Sequence, residues 1–147
     1  MQTFLPYENF EASAKTLDRA RLGKQRVETL QILNALQNRK EGIQKGWVNH
    51  PAVIMWENAE LSLCEYGIAI CREWIGRGYK DTCLGKIEQK AQAIGGEHWR
   101  EFITPPNWLG DESFHQSHRS KLYQKKPEYY TQWADVPVLE YIWKKNE

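Results

Sequence analysis

The sequence predicts an all-α protein that folds as one compact domain over residues 1–147. Apolar residues recur at three- and four-residue intervals in several long stretches, which is the spacing of a helix that packs on a core. No stretch of useful length alternates apolar and polar residues as a half-buried strand does. We therefore expect about three main helices, several short helices and an irregular, aromatic C-terminal tail.

The first main helix is predicted to begin at Leu17 or Asp18, to end near Arg39 and to be stopped by Gly42. One face of this helix carries a carboxylate among cations, because four polar residues fall at i, i+3, i+4 and i+7. They are Arg21, Lys24, Gln25 and Glu28. Leucines occupy the opposite face, so we expect the polar face to lie on the surface.

The second main helix is predicted to open with a cap at Asn49 or His50, to hold Pro51 in its first turn, and to continue to about Arg77. Its apolar residues form two stripes, which indicates a helix at the centre of the fold. A shorter amphipathic helix is expected over residues 80–93.

The third main helix is expected to begin at Asp111 or Ser113 and to be broken by Pro127. Residues 97–110 lead into it as a loop, because two adjacent prolines forbid a continuous helix. Residues 128–145 form the aromatic tail.

The charge distribution limits where a polyanion could bind. The formal net charge is only +1, so any basic surface must be local. Between residues 15 and 45, eight Lys/Arg stand against three acidic residues, and this segment is therefore far more basic than the whole chain. Seven Trp and seven Tyr leave some rings available to stack on bases, with Trp47 and Trp108 as candidates.

Several classes of protein are disfavoured. No apolar run approaches the roughly 18 residues that span a membrane, and the N-terminus has no signal-peptide pattern. The three cysteines form no CxxC pair, so we expect free thiols in the core of a cytoplasmic protein. A Gly-rich phosphate loop is also lacking, and no cofactor is expected.

Glu28 allows two interpretations. The carboxylate could form an ordinary helix-surface pair with Lys24 one turn away. Alternatively, a carboxylate beside cations could hold or pass a proton at a sugar. The pattern alone does not choose between them.

The segment FHQSHR brings two histidines and an arginine onto neighbouring rows of the third main helix. Histidines at i and i+3 without a nearby Cys or acid motif are not a recognised zinc spacing, so no metal site is predicted. His115, His118 and Arg119 could instead form a phosphate-binding face, or only a polar helix face. For Asn49 and His50, helix capping competes with a role in binding.

Taken together, four segments resemble the pyrimidine-dimer DNA glycosylase family. They are LDRARLGKQRVETLQIL, NHPAVIMW, CREWIGRGYKDT and SHRSKLYQKKPEYYTQW. The resemblance implies an all-α fold and a bifunctional enzyme, a DNA glycosylase with abasic-site lyase activity that needs no metal. In this family the chain's own α-amine attacks C1′ of the target sugar, an imine forms as the base leaves, and β-elimination then cuts the strand.

By this resemblance Glu28 falls on the catalytic glutamate, and Arg21 stands at a second active-site position. Residue 2 is Gln, which normally blocks removal of the initiator methionine, so the amine would belong to Met1. Lys24 or a water molecule are the alternative nucleophiles. The expected contacts to damaged, double-stranded DNA come from a larger set, namely Lys24, Arg26, Asn49, His50, His115, His118 and Arg119.

Two other functions stay open at this stage. The chain could be a DNA-binding or damage-sensing module without catalysis, or an N-glycosidase that acts on free modified nucleosides or nucleotides. In each case we expect a monomer that does not bind membranes.

Overall fold

The protein is all-helical, and the computed structural model describes residues 1–147. The six α-helices are α1 (Phe10–Thr16), α2 (Arg19–Lys40), α3 (Pro51–Ile54), α4 (Glu60–Gly76), α5 (Leu84–Gly95) and α6 (Glu112–Lys125). Short 3₁₀ turns lie at Trp99–Phe102 and Thr131–Trp133. One cluster of 31 buried apolar residues joins these elements, which confirms the predicted single all-α domain.

Helix α4 lies at the centre and packs against α1, α2 and α5. Three of its large side chains, Leu63, Tyr66 and Ile70, are fully buried. The crossing with α2 is close at Gly67, where an added Cβ atom would lie 2.5 Å from Cγ2 of Thr29. A residue without a side chain is therefore required at this crossing.

The predicted bounds of α2 agree with the structure. The helix begins after Asp18 and ends at Lys40, two residues before Gly42, whose φ of 73° ends the helical path. Its polar face does not lie on the surface as expected, because Gln25 and Glu28 are 1% and 8% exposed. The N-terminal residues of the chain cover this part of the face.

The predicted second main helix is not continuous. His50 caps α3 through Nδ1, which accepts from the N–H of Ala52 at 3.0 Å, and this confirms the predicted cap. The helix then breaks before α4, and Asn58 at the break has φ of 64°, a conformation that a helix cannot contain. The break lets the indole of Trp56 reach back to the N-terminal residues, where its Nε1–H donates to Thr3 at 3.0 Å.

The remaining helices differ little from the prediction. Helix α5 begins at Leu84 rather than near residue 80, because the Asp81 carboxylate accepts from the N–H of Leu84 and starts the helix there. Asp111 caps α6 by accepting from the N–H of Ser113. All three cysteines are free and buried. None of the helices combines the length and the apolar character that crossing a membrane requires.

Candidate active site

The first seven residues form a non-helical segment, called here the N-terminal arm, that runs into the body of the protein. Gln2, Thr3, Phe4 and Leu5 are all buried. Buried backbone N–H and C=O groups outside a helix need partners, and here side chains supply them. The arm is therefore fixed in place rather than fraying as chain termini usually do.

Gln25 is the residue that joins α2 to the arm. Its Oε1 accepts from the N–H of Phe4 at 2.9 Å, and the Tyr66 hydroxyl lies 2.6 Å from the same oxygen. Its Nε2 donates to the carbonyl of Gln2 and to Oε2 of Glu28, each at 2.7 Å. One carboxamide thus holds two points of the arm and orients the glutamate.

The Glu28 carboxylate lies against the start of the chain. The N–H of Gln2 lies 3.5 Å from its Oε2, and Nζ of Lys24 lies 4.0 Å from its Oε1. Only 11% of the Glu28 side chain is exposed, whereas 76% of the Lys24 side chain is exposed. This is not the ordinary surface ion pair that one interpretation of the sequence allowed, because the acid is buried against the arm.

A pocket of about 420 Å³ opens above Glu28. Met1, Gln2 and Phe4 of the arm line one part of it, and the rest of the lining includes three cations. These cations are Arg21, Lys24 and Lys125. The pocket is therefore built from the arm, α2 and the end of α6, and its rim is positive.

Arg21 is held at this rim by the N-terminus of α2. Its guanidinium pairs with Asp18 at 3.2 Å, and the Tyr130 hydroxyl donates to the same Asp18 oxygen at 2.5 Å. Burial alone raises the pKa of Asp18, but the hydrogen bonds from Tyr130 and Arg21 outweigh burial and lower the pKa below its usual value. Asp18 thus stays charged and keeps Arg21 beside the pocket.

His50 does not line the pocket, although it lies near enough to the start of the chain to feel its charge. Its ring packs edge-to-face with Trp47 and with Trp143. Burial lowers the pKa of His50, and the positive charge of the chain's N-terminus lowers it further. The terminal amine of Met1 is therefore within electrostatic reach of His50. Asn49 beside it is exposed, and its Oδ1 accepts from Arg39 at 3.2 Å.

The two histidines of the FHQSHR segment point into the protein, and each is 1% exposed. The N–H of Leu5 donates to Nδ1 of His118 at 3.0 Å. Nδ1 of His115 lies 2.8 Å from the Leu5 carbonyl, while its Nε2 accepts from the N–H of Gly110. His115 therefore carries its proton on Nδ1, and His118 must be without a proton on Nδ1.

Burial lowers the pKa of His118 to about 3, and the neighbouring His115 contributes to the lowering. A neutral imidazole is what the N–H of Leu5 requires as an acceptor. Arg119 also holds the arm, because it donates to the Pro6 carbonyl at 2.6 Å. Its guanidinium pairs with Glu112 as well. His115, His118 and Arg119 hold the arm in this structure, and both imidazoles are buried rather than open to solvent. The spacing placed His115 and His118 on one face of the helix, and the structure agrees, but that face points into the protein.

Arg26 is also engaged within the protein. Its guanidinium pairs with Asp81 at 2.6 Å and lies over the Trp74 ring, 4.5 Å from the centroid. Only 15% of the side chain is exposed. Arg26 thus joins α2 to the start of α5 and is separate from the cations of the pocket.

Two pocket residues were not identified from the sequence. Tyr141 comes from the tail and packs edge-to-face on His118, and burial raises the pKa of its hydroxyl to about 12. The charge of Arg21 opposes this shift and the charge of Glu28 adds to it, so the ring lies near both. Lys125, the second of these residues, lies in the last turn of α6. Of the aromatic candidates, Trp108 is buried and its indole donates to the Met55 carbonyl, whereas Trp47 is 55% exposed.

A carboxylate held in a pocket with a cationic rim is suited to an enzyme that handles a phosphate-bearing substrate. The chain belongs to the pyrimidine dimer DNA glycosylase family, whose model matches residues 1–86. That region contains the arm, α2 and α4, and it ends within α5. The residues of α6 that hold the arm, namely His115, His118 and Arg119, lie beyond it. Comparisons with curated proteins and with solved structures gave no match.

Proposed function

We propose that this protein is a DNA glycosylase that cleaves the N-glycosidic bond of a damaged pyrimidine in duplex DNA and then cuts the abasic strand through an imine. The observation that carries this proposal is the position of Glu28. A buried carboxylate lies against the arm, 3.5 Å from the N–H of Gln2, in a pocket that the first residue also lines. Family membership supplies the substrate class.

The α-amine of Met1 is the proposed nucleophile. It attacks C1′ of the damaged nucleotide, the C1′–N1 bond breaks, and the electron pair of that bond leaves with the base. Loss of a proton from the attacking nitrogen and opening of the sugar ring give the imine. Removal of a proton from C2′ then expels the 3′ phosphate. As a class, α-amines are deprotonated at lower pH than lysine amines, which favours Met1 over the exposed Lys24.

Glu28 has two tasks in this scheme. Its negative charge stabilises the positive charge that develops on the sugar as the glycosidic bond opens. It also accepts the proton that the attacking amine must lose. Gln25 directs the carboxylate toward the start of the arm through its 2.7 Å hydrogen bond, so the acid is oriented before substrate arrives.

The proposed DNA contacts follow the exposed cations of the pocket. Lys24 and Lys125 neutralise phosphates beside the damaged nucleotide, and Arg21 contacts the sugar–phosphate at the reacting position. Asn49 and His50 contact the same strand on the side of the exposed Trp47. His115, His118, Arg119 and Arg26 act indirectly, because they position the arm and α2.

The experiment is turnover on a defined duplex. An oligonucleotide with one cyclobutane pyrimidine dimer, its undamaged counterpart and a duplex with one abasic site are each incubated with the protein without metal. We expect strand cleavage of the dimer and abasic duplexes and none of the undamaged duplex. Specific binding of the dimer duplex without any cleavage would contradict the proposal and would favour a damage-sensing module.

A further inference from the structure

The side chain of Gln2 is buried and only half satisfied. The residue is 6% exposed, and its Oε1 accepts from the N–H of Thr3 at 2.9 Å. This hydrogen bond fixes which end of the carboxamide is oxygen. The other end, Nε2, is buried and donates to no acceptor.

An unpaired donor in this position is unusual, because buried polar groups almost always have partners and an orphan destabilises the folded protein. Four buried side-chain atoms in the protein have no hydrogen-bond partner. Among their residues only Gln2 lines the pocket above Glu28. The amide of Gln25, which holds the arm, already makes all of its hydrogen bonds and offers Gln2 no free acceptor.

We propose that Nε2 of Gln2 donates a hydrogen bond to the carbonyl oxygen O2 of the pyrimidine that leaves. The inference rests on the proposed function. A neutral carbonyl fits this position better than a phosphate does, because the Glu28 carboxylate lies 3.5 Å from the backbone N–H of the same residue and repels an anion.

The chemistry gives this hydrogen bond a catalytic effect. When the C1′–N1 bond breaks, its electron pair enters the pyrimidine ring and the negative charge is shared between N1 and O2. A hydrogen bond to a charged acceptor is roughly twice as strong as one to a neutral acceptor, so the contact strengthens in the transition state. The base then takes up a proton at N1 and, in a cyclobutane dimer, stays attached to the DNA through the neighbouring pyrimidine. Gln2 is thus assigned as a catalytic residue of base release that has no part in strand cleavage.

The test compares two rates for the same protein. Gln2→Met removes the donor, keeps the length of the side chain and retains a large residue after Met1. We expect single-turnover cleavage of the glycosidic bond in the dimer duplex, read as base release after photoreversal of the dimer, to fall by about tenfold or more. The rate on duplex with a preformed abasic site, which has no base for Gln2 to contact, should match that of the wild type.

The outcomes separate the possible roles. Equal slowing of both rates in Gln2→Met would show that Gln2 only holds the arm. Unchanged base release would show that Gln2 makes no contact with the base. Either result overturns this inference alone. Failure of the wild type to release any base overturns the proposed function as well. Gln2→Leu also removes the donor, adds no charge beside Glu28 and keeps a large residue after Met1, so it provides the same comparison if Gln2→Met does not fold.

Discussion

The N–H of Leu5 donates a hydrogen bond to Nδ1 of His118 across 3.0 Å, and this contact joins residues 113 positions apart in the chain. It has a direct bearing on catalysis, because Leu5 belongs to the same arm that carries Gln2 to within 3.5 Å of Glu28. A helix near the C-terminus therefore fixes where the chain begins. The arm that carries the proposed nucleophile is thus held by a residue that does not line the pocket.

Loss of the His118 acceptor should misplace the arm without unfolding the protein. We expect His118→Phe to slow strand cleavage of abasic DNA by about tenfold or more, since small misplacements of reacting groups are costly. His118→Asn, whose side-chain oxygen can take the place of Nδ1 as an acceptor, should recover part of the rate. Equal activity in His118→Phe and wild type would contradict the positioning role.

The same histidine predicts how stability depends on pH. The pKa of His118 is lowered to about 3 in the folded protein, whereas a histidine in the unfolded chain has a pKa of about 6.5. Between these pH values the unfolded chain therefore binds a proton that the folded protein does not bind. Stability should therefore fall as pH drops from about 6.5 toward 3. Urea unfolding at pH 7 and pH 5 measures this fall, and it should be smaller in His118→Asn. The same fall in both proteins would show that His118 is not its source.

Glu28→Gln tests the proposed role of the Glu28 carboxylate. The substitution keeps the shape of the side chain and removes its charge, so we expect strand cleavage of the dimer duplex to drop at least about 100-fold, the usual lower range for a positioned acid or base. Glu41, which is exposed at the far end of α2, provides the matched control. Glu41→Gln should cleave like the wild type. Retained turnover in Glu28→Gln would remove Glu28 from the mechanism.

Gln25→Leu tests the junction between α2 and the arm. Removing this carboxamide leaves the N–H of Phe4 and the carbonyl of Gln2 without partners. A buried orphan group costs about 1–3 kcal/mol, so the free energy of unfolding should fall by about that amount or more. Urea denaturation measures it. A variant as stable as the wild type would show that the arm is not anchored through Gln25.

Lys24→Gln tests the phosphate contact. Lys24 is largely exposed and its amine lies at the pocket, so its loss should weaken DNA binding at low salt and reduce the slope of log K against log salt by about 1. Lys40→Gln, at the other end of the same helix, is the control and should leave the slope unchanged. The two lysine variants are compared by fluorescence anisotropy on one duplex. An identical slope for both would place the DNA elsewhere.

Much of this arrangement follows from local patterns in the sequence. The cap at His50, the cap at Asp111 and the end of α2 before Gly42 each depend on a few adjacent residues, and each was predicted. The break before α4 was not predicted. Asn58 adopts a left-handed conformation there, and just before it Met55 and Trp56 are hydrogen-bonded to Trp108 and Thr3, each 53 positions away in the chain. Local spacing carries no information about such contacts.

In the candidate site too, some features follow from local sequence patterns and others depend on tertiary contacts. Helical spacing identifies which residues share a face, and it brought Arg21, Lys24 and Glu28 together correctly. It does not show whether that face meets solvent or another segment. His115 and His118 share a face as predicted, yet that face binds the arm. The arm itself has no periodic pattern, and its path could be found only from the structure.

The central claim is that the α-amine of Met1 forms the imine beside Glu28. Borohydride reduction during incubation with abasic duplex traps an imine as a stable adduct, and mass mapping of the digested protein identifies the attached residue. We predict one adduct at the α-amine of Met1, formed by the wild type and not by Glu28→Gln. An adduct on Lys24, or strand cleavage with no trapped adduct, would contradict the account.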